Sequence, residues 1–284
     1  MKIQLGRVDY LNCLPVYYAL ERKLVAPELP FRIIRGVPTQ LNQMFLEGKL
    51  DVTPLSSIEY ARHHDQGMIL PGISISADGS VGSILLFSRL PVTELDGCRV
   101  AVTSSSATSV VMLHALFEHY YHVNATFIKQ PPDLEAMLKE AEAALLIGDD
   151  ALVGRQRVRQ EGLPFRVTDL GEVWKHFTGE KMVYALWVVR GEFAHKHPEE
   201  TRALAGVLAA AKEESMKRLN EIIRAGQRRT GLPGPVVEEY FSLVRYSFDA
   251  DYQRALLLFY DYAYKSGLIE DRVKTLAIWG EDVV

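Results

Sequence analysis

One order of elements occurs twice in this chain, and it leaves few folds open. The apolar stretch KIQLGRV reads as a strand and runs into LPVYYALERKL, a helical pattern with Pro15 near its first turn. FRIIRG then reads as a strand, PTQLNQMFLEGK as a helix closed by Gly48, and LDVTPL as a third strand. From about Cys98 the same β-α-β-α-β order returns as CRVAVT, SATSVVMLHALFEHYY, NATFIKQ, PPDLEAMLKEA and AALLIG. The copies share little residue identity, so the repeat is one of architecture. Alternation of this kind builds an α/β fold with a parallel sheet in each unit. Two such units give two lobes facing across a cleft.

Two nearly all-apolar segments stand outside the repeats: GSILLFS (Gly82 to Ser88) between them and MVYALWVV (Met182 to Val189) after the second. Such runs are typical of buried strands. They are read as the two places where the chain crosses between lobes. The first lobe is then expected to hold residues 1–86 plus 187–284, and the second residues 87–186. A length of 284 residues suits two domains of ~140 residues each. After Arg190 the pattern is mostly helical: PEETRALAGVLAAAKEESMKRLNEIIRA as one long helix, a break at GLPGP, then VVEEYFSLVRY and DADYQRALLLFYDYAYKSGL. The tyrosines of the last segment, among them Tyr252, Tyr260, Tyr262 and Tyr264, read as packing residues.

Ligands of α/β sheets sit at the carboxyl ends of the strands. Those ends carry DYLN and PLSSIEY in the first unit, and TSSSATS and GDDAL in the second. The third is the richest. Thr103, Ser104, Ser105 and Ser106 crowd a strand-to-helix turn, with Thr108 and Ser109 in the first helical turn. A helix cap needs one hydroxyl, and a solvated serine-rich cap is the plain alternative. The N–H groups of such a helix end favour an anion such as a carboxylate. Ser56-Ser57 repeats the form in the first lobe, and two such ends facing each other suit a small dicarboxylate. Asp149 and Asp150 follow a strand and either stand at a solvated helix N-terminus, where the dipole favours acids, or take an acid–base or hydroxyl-binding role. Asn12 stands where the first strand ends, either as a cap or facing a ligand.

Other chemistries find little support. Lys and Arg number 32 against 36 Asp and Glu, with no basic stripe, so nucleic acid is not an expected partner. The histidines at 63–64 and at 119 and 122 lack acidic or cysteine partners at metal-site spacing, and no metal is expected. No P-loop, dinucleotide fingerprint, zincin motif or nucleophile elbow occurs, and the serine clusters have no evident His and acid partners. No stretch approaches the ~18 apolar residues of a membrane span, and MKIQLGRVDY does not read as a signal peptide. Cys13 and Cys98, far apart, fit a reducing cytoplasm rather than a disulfide framework. A homodimer is compatible with the sequence, which carries no signal for the oligomeric state.

GRVDYLNCLP, LDVTPLSSIEYA, SVGSILLFS, VTSSSATS, ALLIGDDAL and DLGEVWKHFTG occur in that order over nearly the whole chain. Together they resemble the menaquinone-biosynthesis chorismate dehydratases. The sister naphthoate synthases typically open with a Ser-Pro-Cys-Pro-Asn-Asp-like turn, whereas this chain has Tyr10-Leu11-Asn12-Cys13-Leu14-Pro15. The sequence departs from the dehydratase pattern at Cys13, where a small polar residue is more usual. It departs again at Glu180-Lys181-Met182-Val183, where Leu/Met-Pro-Phe-Val is usual. The resemblance implies a two-lobed fold like the type II periplasmic binding proteins, a cytoplasmic location, no metal and no organic cofactor. It implies Asn12 as catalytic and Ser56, Ser57, Ser83, Thr103, Ser105, Ser106, Thr108 and Asp149 as substrate-binding.

The implied reaction turns chorismate into 3-[(1-carboxyvinyl)oxy]benzoate and water, the first step of the futalosine route. A proton leaves the ether-bearing ring carbon and hydroxide leaves its neighbour. Helix-end N–H groups near the ring carboxylate would stabilise the charge that develops. Asn12 is a poor base but a good anchor at the reacting carbons. The proton acceptor is then either the substrate's own enolpyruvyl carboxylate or an acid that the sequence does not identify.

Overall fold

A computed structural model of the chain describes residues 2–25 and 29–281. Ten strands form two five-stranded sheets. The first contains β1 (Ile3–Val8), β2 (Phe31–Gly36), β3 (Val52–Ser56), β4 (Gly67–Ala77) and β10 (Met182–Arg190), in the order β2-β1-β3-β10-β4. The second contains β5 (Ile84–Ser88), β6 (Arg99–Thr103), β7 (Thr126–Gln130), β8 (Ala143–Ile147) and β9 (Arg166–Asp169), in the order β7-β6-β8-β5-β9. The sheets have the same plan. In each, three strands of a repeat pair in parallel and the fourth place is taken by an antiparallel strand. All five residues of β3, β5 and β8 are buried, as expected of interior strands covered on both faces.

The fourth-place strands correct the expected crossings. All of β5 pairs within the second sheet, against β8 and β9. All of β10 pairs within the first, against β3 and β4. The chain therefore passes between sheets just before each of these strands, through residues 78–83 and 179–181, so 84–86 go with the second sheet and 182–186 with the first. An all-apolar strand needs partners on both edges and both faces, which a crossing segment in solvent lacks. The glycines Gly79, Gly82 and Gly179, each with positive φ, mark the passages instead.

Two further differences have local causes. GMILPGISISA forms the eleven-residue β4 in spite of Pro71-Gly72. It lies at the sheet edge, where a missing N–H is tolerated, and its register against β10 shifts across this stretch. The long helix expected after Arg190 is two helices, Pro198–Met216 and Leu219–Thr230. The bend follows buried Ser215, whose hydroxyl accepts the Ala19 N–H at 3.0 Å.

The lobes pack along one side. Trp174, on the helix Leu170–Thr178 of the second lobe, meets Phe259 and Tyr262 of the helix Ala250–Lys265 edge-on, at 5.7 and 5.5 Å between ring centroids. Asp169 caps the Trp174 helix and also accepts the N–H groups of Val81 and Gly82, tying the first crossing to the second lobe. Among the described residues no helix is long and apolar enough to cross a membrane.

Candidate active site

Between the carboxyl ends of the two sheets lies a small cavity lined by residues of both lobes. Five helical segments start at its wall: the 3-10 turn Leu11–Cys13 and the helices at Pro38, Ser57, Thr108 and Gly148. The peptide dipoles of a helix leave its start positive, so this convergence turns positive dipole ends toward one space. Among the lining residues there is no Asp, Glu, Lys, Arg or His. The titratable groups on the wall are Tyr10, Cys13 and Tyr184, all kept protonated by burial. Burial pushes the Tyr10 phenol and the Cys13 thiol each up to about 12, and lifts Tyr184 well above the usual phenol range.

Asn12 lines the cavity, and its Oδ1 is buried with no hydrogen-bond partner. Its side chain does not cap the helix Leu14–Glu21, which has no side-chain cap and carries Pro15 in its first turn. An orphaned buried carbonyl carries a desolvation penalty of ~1–3 kcal/mol unless something occupies the space before it.

The serines and threonines divide into two groups. Ser56, Ser83, Ser106 and Thr108 line the cavity. Ser56 is held by Asn42, which donates to its Oγ at 3.0 Å and accepts its N–H at 3.2 Å. Ser83 donates to the Tyr240 hydroxyl at 3.2 Å, and Ser106 accepts the Ser109 N–H at 3.2 Å in the manner of a cap. Thr108 bridges the lobes. It donates to the Tyr184 carbonyl at 3.1 Å and accepts the Ile58 N–H at 3.3 Å.

Ser57, Thr103, Ser105 and Asp149 are not on the wall. Ser57 is fully buried and donates to the Val183 carbonyl at 2.8 Å, while Tyr260 donates to the Ser57 carbonyl at 2.6 Å. Thr103 and Ser105 pair with each other at 2.8 Å, and Ser105 takes the Tyr10 hydroxyl from the opposite lobe at 3.3 Å. Asp149 accepts the Leu11 N–H at 2.8 Å and pairs with Arg229 at 2.7 Å. Burial raises its carboxyl pKa against the pull of Arg229 and the Leu11 N–H. These side chains satisfy protein groups.

Tyr184, Pro38 and Gly148 also shape the wall, and sequence reasoning gave them no role. Gly148 stands at φ +58, and a Cβ there would lie 2.8 Å from the Tyr10 ring. The only early signal was its place in the loop after β8. His63-His64 and His119/His122 lie outside the cavity, and among the described residues no group of three His, Cys, Asp or Glu could hold a metal.

Two matching sheets, each with an antiparallel strand in fourth place, and a cleft between their carboxyl ends define a two-lobed protein of the periplasmic-binding-protein-like class. The periplasmic aliphatic sulphonate binding protein SsuA from Escherichia coli shares this fold, with a TM-score of 0.69 at 16% identity over 98% of this chain and 97% of its own. More particularly, the chain belongs to the menaquinone biosynthesis family, whose sequence profile matches residues 3–265. It is similar to the chorismate dehydratase of Thermus thermophilus, 30% identical over 256 residues, 86% of this chain and 89% of that one. It is also similar to the 1,4-dihydroxy-6-naphtoate synthase of the same organism, 28% identical over 180 residues, 62% of each chain.

Proposed function

We propose that this protein is a chorismate dehydratase, a carbon–oxygen lyase of the cytoplasm that converts chorismate to 3-[(1-carboxyvinyl)oxy]benzoate and water on the futalosine route to menaquinone. The observation that carries the reading is a cavity walled by helix starts and neutral polar groups, with no charged side chain and with Asn12 Oδ1 unpartnered. A dicarboxylate suits such a wall, because converging helix starts supply the positive end and no carboxylate repels it. The same wall has no side chain fit to remove a proton near neutral pH, since Tyr10, Cys13 and Tyr184 are all held in their protonated forms.

The substrate's enolpyruvyl carboxylate is therefore the base. It takes the proton from the ether-bearing ring carbon, and the electron pair passes through the ring diene toward the ring carboxylate. The neighbouring carbon–oxygen bond then breaks. The leaving hydroxide takes the abstracted proton back from the enolpyruvyl carboxyl and departs as water, which restores the carboxylate, and the ring becomes aromatic. Asn12 holds the substrate at the reacting carbons by hydrogen bonds from its amide to the polar groups they carry, and the hydroxyls of Ser56, Ser83, Ser106 and Thr108 bound the space around the carboxylates.

Incubation with chorismate tests the reading. Loss of water with appearance of the carboxyvinyloxybenzoate supports it. Binding without turnover would make the chain a carboxylate receptor of the same fold. Inertness to chorismate together with release of a dihydroxynaphthoate from the later pathway intermediate would assign the sister activity, whose Thermus thermophilus relative is also similar to this chain.

A further inference from the structure

We infer that Asp149 and Arg229 form an interlobe clasp that sets the Asn12 turn in place only when the two lobes are together. The role given to Asn12 rests on the dehydratase reading; the clasp itself rests on contacts. Asp149 is the second residue of the helix Gly148–Glu161, which follows β8 in the second lobe. One of its oxygens accepts the N–H of Leu11, the neighbour of Asn12 in the first lobe, at 2.8 Å. The other accepts Arg229 Nε at 2.7 Å, and the Asp149 side chain is only 15% exposed. Arg229 lies in the last turn of the helix Leu219–Thr230 and also donates to the Asp9 carbonyl. The residues on either side of Tyr10 are thus held by one pair, Asp9 by Arg229 and Leu11 by Asp149.

The pair continues into a line of alternating charges. The Asp9 carboxylate lies 3.9 Å from Arg229, 3.9 Å from Arg7 and 3.8 Å from Arg35, and both Arg7 and Arg35 pair with Glu21. The line runs from the second lobe to the strand that carries the turn. The seat between lobes is shaped for close approach, because the Tyr10 ring rests on Gly148, where any Cβ would collide with it. When the lobes part, the Leu11 N–H and the Asp149 carboxylate turn to water, and the turn loses the contact nearest Asn12. Asp149 and Arg229 touch no reacting atom. They are positioning residues.

A double-mutant cycle reads this directly. Asp149→Ala should lower kcat on chorismate on the order of 10- to 100-fold, the cost of a small misplacement of a reacting group. Added to Asn12→Ala, the same change should lower the rate by less than about threefold, because the group it positions is gone. Arg229→Ala should behave like Asp149→Ala, with partial recovery in Arg229→Lys, and the neighbouring Asp150→Asn should match the parent. Equal losses from Asp149→Ala in both backgrounds would overturn the clasp, as would a rise in KM alone, which marks a substrate ligand. Should Asp149→Ala not fold, the Arg229 pair of variants carries the cycle. A parent protein inert to chorismate rejects the dehydratase reading but not the clasp, which small-angle scattering without ligand then decides. Loss of the clasp should enlarge the radius of gyration, and an unchanged radius overturns it.

Discussion

The turns after β1 and after β6 hold equivalent places in the two sheets, and they are chemical opposites. After β6 four hydroxyls have protein partners: Thr103 and Ser105 have each other, Ser106 has the Ser109 N–H, and Thr108 has the Tyr184 carbonyl and the Ile58 N–H. After β1, Asn12 lines the cavity with a buried oxygen that has no partner among the described residues. A satisfied cluster makes a rigid wall, whereas an unsatisfied group is an energetic debt left for a ligand to settle. Polar density alone therefore misleads. The serine-rich turn is largely scaffold, and on the cavity wall the Asn12 carbonyl and the Tyr184 hydroxyl are the buried groups with capacity to spare.

Asn12→Ala presses this contrast hardest. Chorismate turnover should fall at least on the order of 100-fold, as for loss of a group that orients the reacting atoms. The melting temperature should hold or rise, because an unpartnered buried carbonyl is removed. A variant that melts much lower yet turns over chorismate normally would make Asn12 a structural residue and dissolve the contrast.

Ser106→Asp probes the wall from the other side. Aspartate caps helices as well as serine does, so the bond from the Ser109 N–H survives. The new charge faces the space assigned to a carboxylate. At an effective dielectric near 20, two such charges several ångströms apart repel by a few kcal/mol, so affinity for the carboxyvinyloxybenzoate should fall more than about tenfold. Unaltered product binding by calorimetry would remove this turn from the anion site.

Thr108→Val is expected to act on stability first. It deletes an acceptor for the Ile58 N–H and a donor to the Tyr184 carbonyl, both buried. A loss of about 1–3 kcal/mol follows, or several degrees of melting temperature in a chain of this size. Normal melting with lost turnover would move Thr108 from scaffold to ligand contact. The smallest effect belongs to the cysteines. Iodoacetamide at mildly alkaline pH should label half-exposed Cys98 and spare Cys13, whose thiol is buried and raised to about 12, with activity unchanged. Mass spectrometry showing Cys13 modified would mean that the cavity opens further than the contacts across it suggest.

The repeated β-α-β-α-β order and the two-lobed class were legible because hydrophobic period and turn chemistry are local properties. β4 was not legible, because Pro71-Gly72 argues against a strand unless its edge position is known. The crossings were displaced for a related reason: an apolar run declares burial but not which sheet buries it. At the site, the strand-end loops pointed to Asn12, Ser56, Ser106 and Thr108, and the family resemblance to Ser83, all of which line one cavity. The sequence did not reveal that Ser57, Thr103, Ser105 and Asp149 turn to protein partners. Their partners Val183, Tyr10, Leu11 and Arg229 come from distant segments, and period and spacing say nothing about such encounters. The Arg229–Asp149 pair spans 80 residues and had no local signature.

The return of β10 to the first sheet has a consequence for how the chain is made. The second sheet is complete once Asp169 has been synthesised, since β5 to β9 are contiguous in sequence. The first must wait for β10, which lies between β3 and β4 and bonds to both. Until Arg190 leaves the ribosome, the first half of the protein carries two unpaired strand edges while the second half has all its partners. The later-made lobe should therefore close first and serve as the base on which the earlier one zips shut. Ribosome-bound chains stalled with residue 178 just emerged should show protease resistance from Ile84 onward and easy cleavage before it; uniform resistance would mean that the first lobe holds together without its central strand.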